Sequence, residues 1–431
     1  MASSGAKEAA RRDTLDELAE FRTQFYLQPG TLYLDGNSLG LLCRPAEASL
    51  LRVLTEWKTL GIKGWTDAQP PWFFLAEELG KQVAPLVGAA EEEVIITNST
   101  TVNLHQLLVT LYKPVGTRRQ VLIDALSFPS DRYAVESFLR RSGSDWIGNG
   151  HDHRSLLAVV GSSDGLTLDE DALIAAMTEE VQMAILPVVL YTSGQWLDVS
   201  RLTAAARERG VLLGLDCSHS IGAVPHALSD WGVDFAFWCS YKYLNAGPGA
   251  TGGLYLNRRH FGQMPGLAGW FSSDKARQMD MAEHLDPAEG AGGLQIGTPN
   301  ILSMAPLEGA LQLLAEAGLE RLRARSLRLT EYLMALVEAE LSAYGFTIAT
   351  PREAHRRGGH VALVHPEAVR ICKALRAANV IPDYRPPNIV RLAPVALYTT
   401  FVDCYEAIQR LKRIMEARLW KALDRDRELV P

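Results

Sequence analysis

Cysteine is scarce in this chain. Its five residues, Cys43, Cys217, Cys239, Cys372 and Cys404, are scattered, odd in number and free of any Cys-x-x-Cys pair. Neither a disulfide framework nor a structural zinc site is indicated. No apolar run approaches the ~20 residues of a membrane-crossing helix, and the polar start from Met1 to Glu8 lacks the apolar stretch of a secretory signal. A cytoplasmic protein with no membrane partner is expected. Positive charge is also short, with 43 Lys and Arg against 50 Asp and Glu and a formal net charge of −7. That balance argues against nucleic acid or an anionic surface as the main partner. A small anionic substrate would need positive charge gathered locally. His151-Asp152-His153 looks like a metal pair, but its glycine-rich connection offers no third ligand, so no metal is expected.

Apolar residues are plentiful: 47% of 431 residues are hydrophobic, enough for a large core and about two or three domains. Strand-like and helix-like segments alternate from about residue 94 to 256, the pattern of a mostly parallel sheet covered by helices on both faces. The chain is organised around Phe235-Ala236-Phe237-Trp238-Cys239-Ser240-Tyr241-Lys242, an aromatic strand ending in Ser-Tyr-Lys before Asn245-Ala246-Gly247-Pro248-Gly249 breaks it. A lysine among apolar neighbours at a strand tip is favoured in its neutral form, which can attack a carbonyl. Upstream, Val211-Leu212-Leu213-Gly214-Leu215-Asp216 reads as a buried strand delivering a carboxylate at its C-terminal end, and His219 leaves the same turn. Open α/β sheets hold ligands at that end. A carboxylate for a pyridine nitrogen and, 26 positions later, a lysine for an aldehyde suit pyridoxal phosphate.

Other segments fit around this pair. Thr97-Asn98-Ser99-Thr100-Thr101 carries hydroxyls from a strand into a helix N-terminus, which is either an ordinary cap or an anion site, and beside Lys242 the phosphate reading is preferred. Phe128, after the strand Val121–Ile123, either joins the core or stacks on a planar ring. Asp35-Gly36-Asn37-Ser38 is turn chemistry whose amides could hold a carboxylate, making Ser38 a substrate candidate. Asn388-Ile389-Val390-Arg391-Leu392-Ala393-Pro394 places Arg391 inside an apolar strand, where a guanidinium needs either an internal carboxylate or a substrate carboxylate. Gly247-Pro248-Gly249-Ala250-Thr251-Gly252 matches the dinucleotide fingerprint by letter, but Leu254-Tyr255-Leu256 after it reads as a strand, so nicotinamide binding is rejected. A first helix is expected from Thr14 to Phe25. Arg321, Arg323, Arg325 and Arg328 are expected on the solvated face of a later one.

These motifs resemble the kynureninase family of fold type I pyridoxal-phosphate enzymes, from Tyr33-Leu34-Asp35-Gly36-Asn37-Ser38-Leu39-Gly40 to Arg391-Leu392-Ala393-Pro394. The most specific pieces are Phe128-Pro129-Ser130-Asp131, Trp238 through Gly247, and Gly269-Trp270-Phe271. The resemblance implies a large α/β domain over 46–304 with a seven-stranded-type sheet. A smaller α+β domain would be built from 1–45 and 305–431. It also implies that Lys242 carries pyridoxal 5'-phosphate, Asp216 pairs with the ring nitrogen, Phe128 stacks, and Asp131 and His219 complete the pocket. Thr100, Thr101, Tyr241, Trp270 and Thr298 would surround the phosphate, the last two across a homodimer interface, and Arg391 with Ser38 would receive the substrate. The implied reaction is hydrolysis of L-kynurenine, or 3-hydroxy-L-kynurenine, to anthranilate or its 3-hydroxy form and L-alanine, in tryptophan catabolism and NAD precursor synthesis, with Tyr241 as proton donor. Family relatives vary at Thr298 and in the loop Gly61–Trp65, which leaves the ring preference open. An aminotransferase, a cysteine desulfurase or a silent relative are the other readings; desulfuration would require an exposed, reactive Cys372.

Overall fold

The computed structural model describes residues 4–146 and 153–427. His151 and Asp152 therefore lie outside the described residues. The strands, in chain order, are β1 (Leu32–Tyr33), β2 (Val94–Ile96), β3 (Gln120–Asp124), β4 (Leu157–Val160), β5 (Val181–Pro187), β6 (Leu212–Asp216), β7 (Phe235–Trp238), β8 (Gly253–Leu256), β9 (Thr347–Ile348), β10 (Val361–Val364), β11 (Val380–Ile381), β12 (Asp383–Arg385) and β13 (Ile389–Leu392).

Seven strands form the main sheet in the order β2-β8-β7-β6-β5-β3-β4. All neighbouring pairs from β7 to β4 are parallel, while β8 runs antiparallel to both β2 and β7. Every residue of the central β5 is buried, which is why its sequence reads as an apolar run without alternation. The parallel pairing places the C-terminal ends of β3, β5, β6 and β7 along one edge, so the turns after them converge. The register fixes this directly, with Pro187 opposite Asp216 and Asp216 opposite Phe237. β8 follows the Gly247–Gly252 loop as a strand, in agreement with the reading that rejected a dinucleotide fingerprint there.

A second sheet, β12-β13-β10-β9, is antiparallel. Its Val361, Leu363, Val390 and Leu392 pack under the helices Leu319–Leu341, Ala368–Ala377 and Phe401–Glu416 in a core separate from that of the main sheet. The start of the chain returns to this region, since β1 pairs in parallel with β11.

Two sequence expectations fail here for one reason. The first helix spans Ser4–Thr14, and the expected helical stretch from Thr14 onward is mostly a turn followed by a 3-10 helix at Ala19–Gln24. Nor does the arginine-rich helix present a solvated face throughout. Arg325 is fully buried and donates from Nε to the equally buried Asp16 Oδ2 at 2.5 Å. Burying a guanidinium requires a paired carboxylate, and Asp16 meets it from the segment where the helix has ended. Arg323 is also buried and donates to the carbonyl oxygens of Ala354 at 2.7 Å and Arg357 at 2.8 Å.

Candidate active site

Four turns build one face of the site. Asp216 ends β6, and its Oδ1 accepts from the Ser218 amide at 2.8 Å, which sets the turn that brings in His219. Lys242 lies in the turn four residues past the end of β7, and is half-buried rather than enclosed at a strand tip. Its Nζ lies 5.8 Å from the centroid of the Phe128 ring, delivered by the turn after β3. Phe128 remains 39% exposed, so it stands at the site and not in the core. It meets Tyr191, from the turn after β5, edge to face at 5.2 Å.

Electrostatics mark the same place. Asp131 is buried and hydrogen-bonded to Asp216; burial, and then the neighbouring carboxylate, push its pKa well above the ordinary value. Two buried carboxyls this close favour a cationic partner between them. His219 is held far below an ordinary imidazole by burial and then by the Lys242 cation, so its ring is neutral. Its Nδ1, the Ser240 hydroxyl and the Thr192 hydroxyl are buried without a hydrogen-bond partner among the described residues. Cys239 beside it, together with burial, raises the Tyr241 hydroxyl, which stays protonated at neutral pH.

The helix Thr100–Leu111 starts behind this cluster, and Thr101 Oγ1 lies 2.6 Å from Ser130 Oγ. A Cβ on Gly252 would come within 2.9 Å of the Trp238 carbonyl and 3.1 Å of the Thr100 amide, so only glycine lets β8 pass so close to the helix start. The free amides of a helix start, with Thr100, Thr101 and Ser130 beside them, could hold an anion.

The second face comes from the antiparallel sheet and the early turn. Arg391 is fully buried, and its guanidinium contacts Asp383, the Tyr191 carbonyl and Ser38 Oγ, the last at 3.1 Å. Burial pulls it down to about 10, which leaves it charged at neutral pH. Ser38 in turn donates to Asp383 Oδ2 at 3.0 Å. The internal carboxylate that the strand reading allowed for Arg391 is therefore present, and the residue also faces the cluster around Lys242, whose His219 it helps hold neutral. Trp270 and Thr298 are both exposed, and their segments are joined through the Phe271 amide and the Ile296 carbonyl at 3.2 Å. No described hydrogen bond or ring contact joins either to Lys242.

Sequence reasoning missed Asp383, Arg385, Asn37, Tyr191 and Ser130. A signal existed for two of them: Asp383 and Arg385 alternate with the core residue Tyr384 on a strand, placing both charges on one face. Among the described residues no group of three or more His, Cys, Asp or Glu is arranged to hold a metal ion.

The donor set fits pyridoxal phosphate: a lysine, a pair of neighbouring carboxyls, an aromatic face and a hydroxyl-bearing helix start meet at one sheet edge, beside orphaned buried polar atoms. Solved structures agree on the fold. C-DES with glycine covalently linked to its PLP cofactor aligns with a TM-score of 0.76, at 18% identity over 91% of this chain and 98% of that one. The apo cysteine desulfurase of Thermococcus onnurineus NA1 gives 0.74, at 18% identity over 94% and 98%. The fold is that of the fold type I pyridoxal-phosphate enzymes, and the site's donors suit that cofactor. Curated relatives narrow the class further: kynureninase of Geobacillus thermodenitrificans (strain NG80-2) is 53% identical over 98% of this chain and 97% of its own, and that of Bacillus anthracis 54% over 97% and 96%. Residues 322–411 match the kynureninase C-terminal domain. The chain belongs to the kynureninase family.

Proposed function

We propose that this protein is a pyridoxal-phosphate-dependent hydrolase that cleaves the Cβ–Cγ bond of L-kynurenine, or of 3-hydroxy-L-kynurenine, to anthranilate or its 3-hydroxy form and L-alanine. The convergence of Lys242, the Asp131–Asp216 pair and His219 on one sheet edge, facing the buried Arg391, carries the reading, and the full-length family match supports it. The cofactor, when bound, supplies an electron sink for negative charge developing on the substrate carbons.

The chain's own groups do the rest. Lys242 Nζ would anchor the cofactor and would carry the substrate Cα proton. Asp216, beside Asp131, would pair with the ring nitrogen, and the neutral His219, whose Nδ1 has no partner among the described residues, would complete the pocket. Phe128 would pack on the ring face, and Thr100, Thr101 and the helix start would hold the phosphate. Arg391 and Ser38 orient the substrate carboxylate. Tyr241, protonated at neutral pH, also reaches the phosphate region and returns a proton to Cβ after the bond breaks.

A second copy of the chain completes the site, bringing Trp270 and Thr298 to the phosphate across the interface. A wide groove of about 740 Å³ supports this, lined by Trp57, Ile62, Trp65, Trp72, Gly249 and Asn300. Trp57 is 59% and Ile62 82% exposed, more apolar surface than an isolated chain would leave open beside its site. All five cysteines are buried and none forms a disulfide among the described residues, which suits a reducing, cytoplasmic compartment. Among the described residues no helix is long and apolar enough to cross a membrane. Desulfurase chemistry is disfavoured because Cys372 is fully buried within the helix Ala368–Ala377.

The test is to load the purified protein with pyridoxal phosphate and assay alanine against anthranilate or 3-hydroxyanthranilate from each substrate. Equimolar release from either is expected, and the ratio of kcat/KM values ranks the two. A visible cofactor band with no alanine would transfer the protein to the aminotransferase or silent-relative readings.

A further inference from the structure

The donors of Arg391 are nearly all in use. Its five N–H groups meet four oxygens. Nη1 donates to the Tyr191 carbonyl, Nη2 to Ser38 Oγ at 3.1 Å and to Asp383, and Nε to the Asn37 amide oxygen at 3.3 Å when that oxygen faces the guanidinium. One Nη1 hydrogen remains on a side chain with no exposed surface. A substrate carboxylate, which is best held by a two-pronged fork, finds only a single prong here.

Arg385 supplies what is lacking. Strand pairing places Asp383 directly opposite Arg391, and alternation puts Arg385 on the same face, two residues along. Its Nη2 lies 3.2 Å from Asp383 Oδ2 and 3.4 Å from Ser38 Oγ, so both guanidiniums share one carboxylate and one hydroxyl. Its Nε is buried without a partner among the described residues, yet the side chain as a whole keeps 21% of its surface exposed. It also faces the cofactor side, since its charge reaches Tyr191 and His219. Asp35 acts on both guanidiniums as well, and burial pushes its carboxyl up to about 6, so an incoming anion meets two arginines beside Asp383 and a carboxyl that gives up its charge readily.

We propose that Arg385 is a second receptor for the substrate α-carboxylate, working beside Arg391, with Asp383 as the bridge that holds the two guanidiniums at a fixed spacing. This rests on the proposed function, in which Arg391 faces that carboxylate. Arg391 then sets the position of the anion through its one free hydrogen, and Arg385 closes on it with its uncommitted donors.

The test compares Arg385→Gln, Arg385→Lys and Arg391→Gln in the cofactor-loaded enzyme, using KM and kcat for L-kynurenine and the inhibition constant of its uncharged α-carboxamide. Loss of a charge-assisted hydrogen bond predicts that Arg385→Gln raises KM for L-kynurenine by roughly 10- to 100-fold. It should leave kcat within a few-fold and carboxamide inhibition within about twofold, because the carboxamide carries no charge to lose. Arg385→Lys keeps the charge without the fork and should fall between parent and glutamine variant, and it carries the test if the glutamine variant does not fold. An unchanged KM in Arg385→Gln, or equal losses for substrate and carboxamide, overturns the proposal. If Arg391→Gln discriminates between the two ligands and Arg385→Gln does not, Arg385 alone is misassigned and the site reading stands. If neither discriminates, the carboxylate assignment of Arg391 falls as well.

Discussion

The Gly40 amide donates to the Tyr241 carbonyl oxygen at 2.7 Å, so the early turn that carries Asn37 and Ser38 is fastened to the turn that carries Lys242. A side chain at Gly40 would collide with the Lys242 carbonyl and with Asn245. Backbone cannot yield as a flexible side chain does. Gly40→Ala should therefore cost about 1–3 kcal/mol of stability and, by displacing the Lys242 turn, lower kcat by up to about 100-fold. Denaturation midpoints and steady-state kinetics of the loaded enzyme check both.

Tyr241→Phe should lower kcat by roughly 100-fold or more, the range expected for loss of a general acid, with a much smaller change in KM. Its visible cofactor spectrum should persist. Undiminished turnover would remove Tyr241 from the proton-donor role.

The Asp16–Arg325 pair predicts a stability effect far from the chemistry. Asp16→Asn leaves a buried guanidinium without its counter-charge and should cost about 3–5 kcal/mol, read as a lower urea midpoint. Replacing both partners by apolar residues, Asp16→Leu with Arg325→Met, should recover much of that loss, because no buried charge is then left unpaired.

His226 predicts a pH dependence. Burial depresses its imidazole to about 4, and Nε2 pairs with Ser220 Oγ at 2.9 Å. Unfolding restores an ordinary value near 6.5, so below that pH the unfolded chain binds the proton more readily than the folded one. The stability held above pH 6.5 is lost as pH falls toward 4, about 3 kcal/mol from this residue. The difference in stability between parent and His226→Gln should vary over that window and be flat above pH 7.

How much of this was legible in the sequence follows from the range of each interaction. The β6 and β7 strands announce themselves through apolar runs, and Asp216, His219 and Lys242 follow them at short range, so the main sheet and its ligand edge could be read locally. Arg391 was visible as a charge in an apolar strand. Its partner Asp383 was not, because the pairing depends on a strand register that no local pattern encodes, although the Asp383-Tyr384-Arg385 alternation was open to view. The same limit hid Asp16, 309 residues from the arginine it neutralises, and turned an expected solvated helix face into a buried one. Lys242 was expected inside a dry strand tip. It sits instead in the following turn, because β7 closes at Trp238 and the chain must bend to reach the Phe128 ring.

The central claim is that chemistry is anchored at Lys242. The most direct measurement reduces the pyridoxal-phosphate-loaded protein with borohydride, digests it and locates the cofactor mass by peptide mapping. One modified residue, Lys242, is expected, with loss of both the label and alanine release in Lys242→Ala. A label on another lysine, or alanine release at the parent rate from Lys242→Ala, would contradict it.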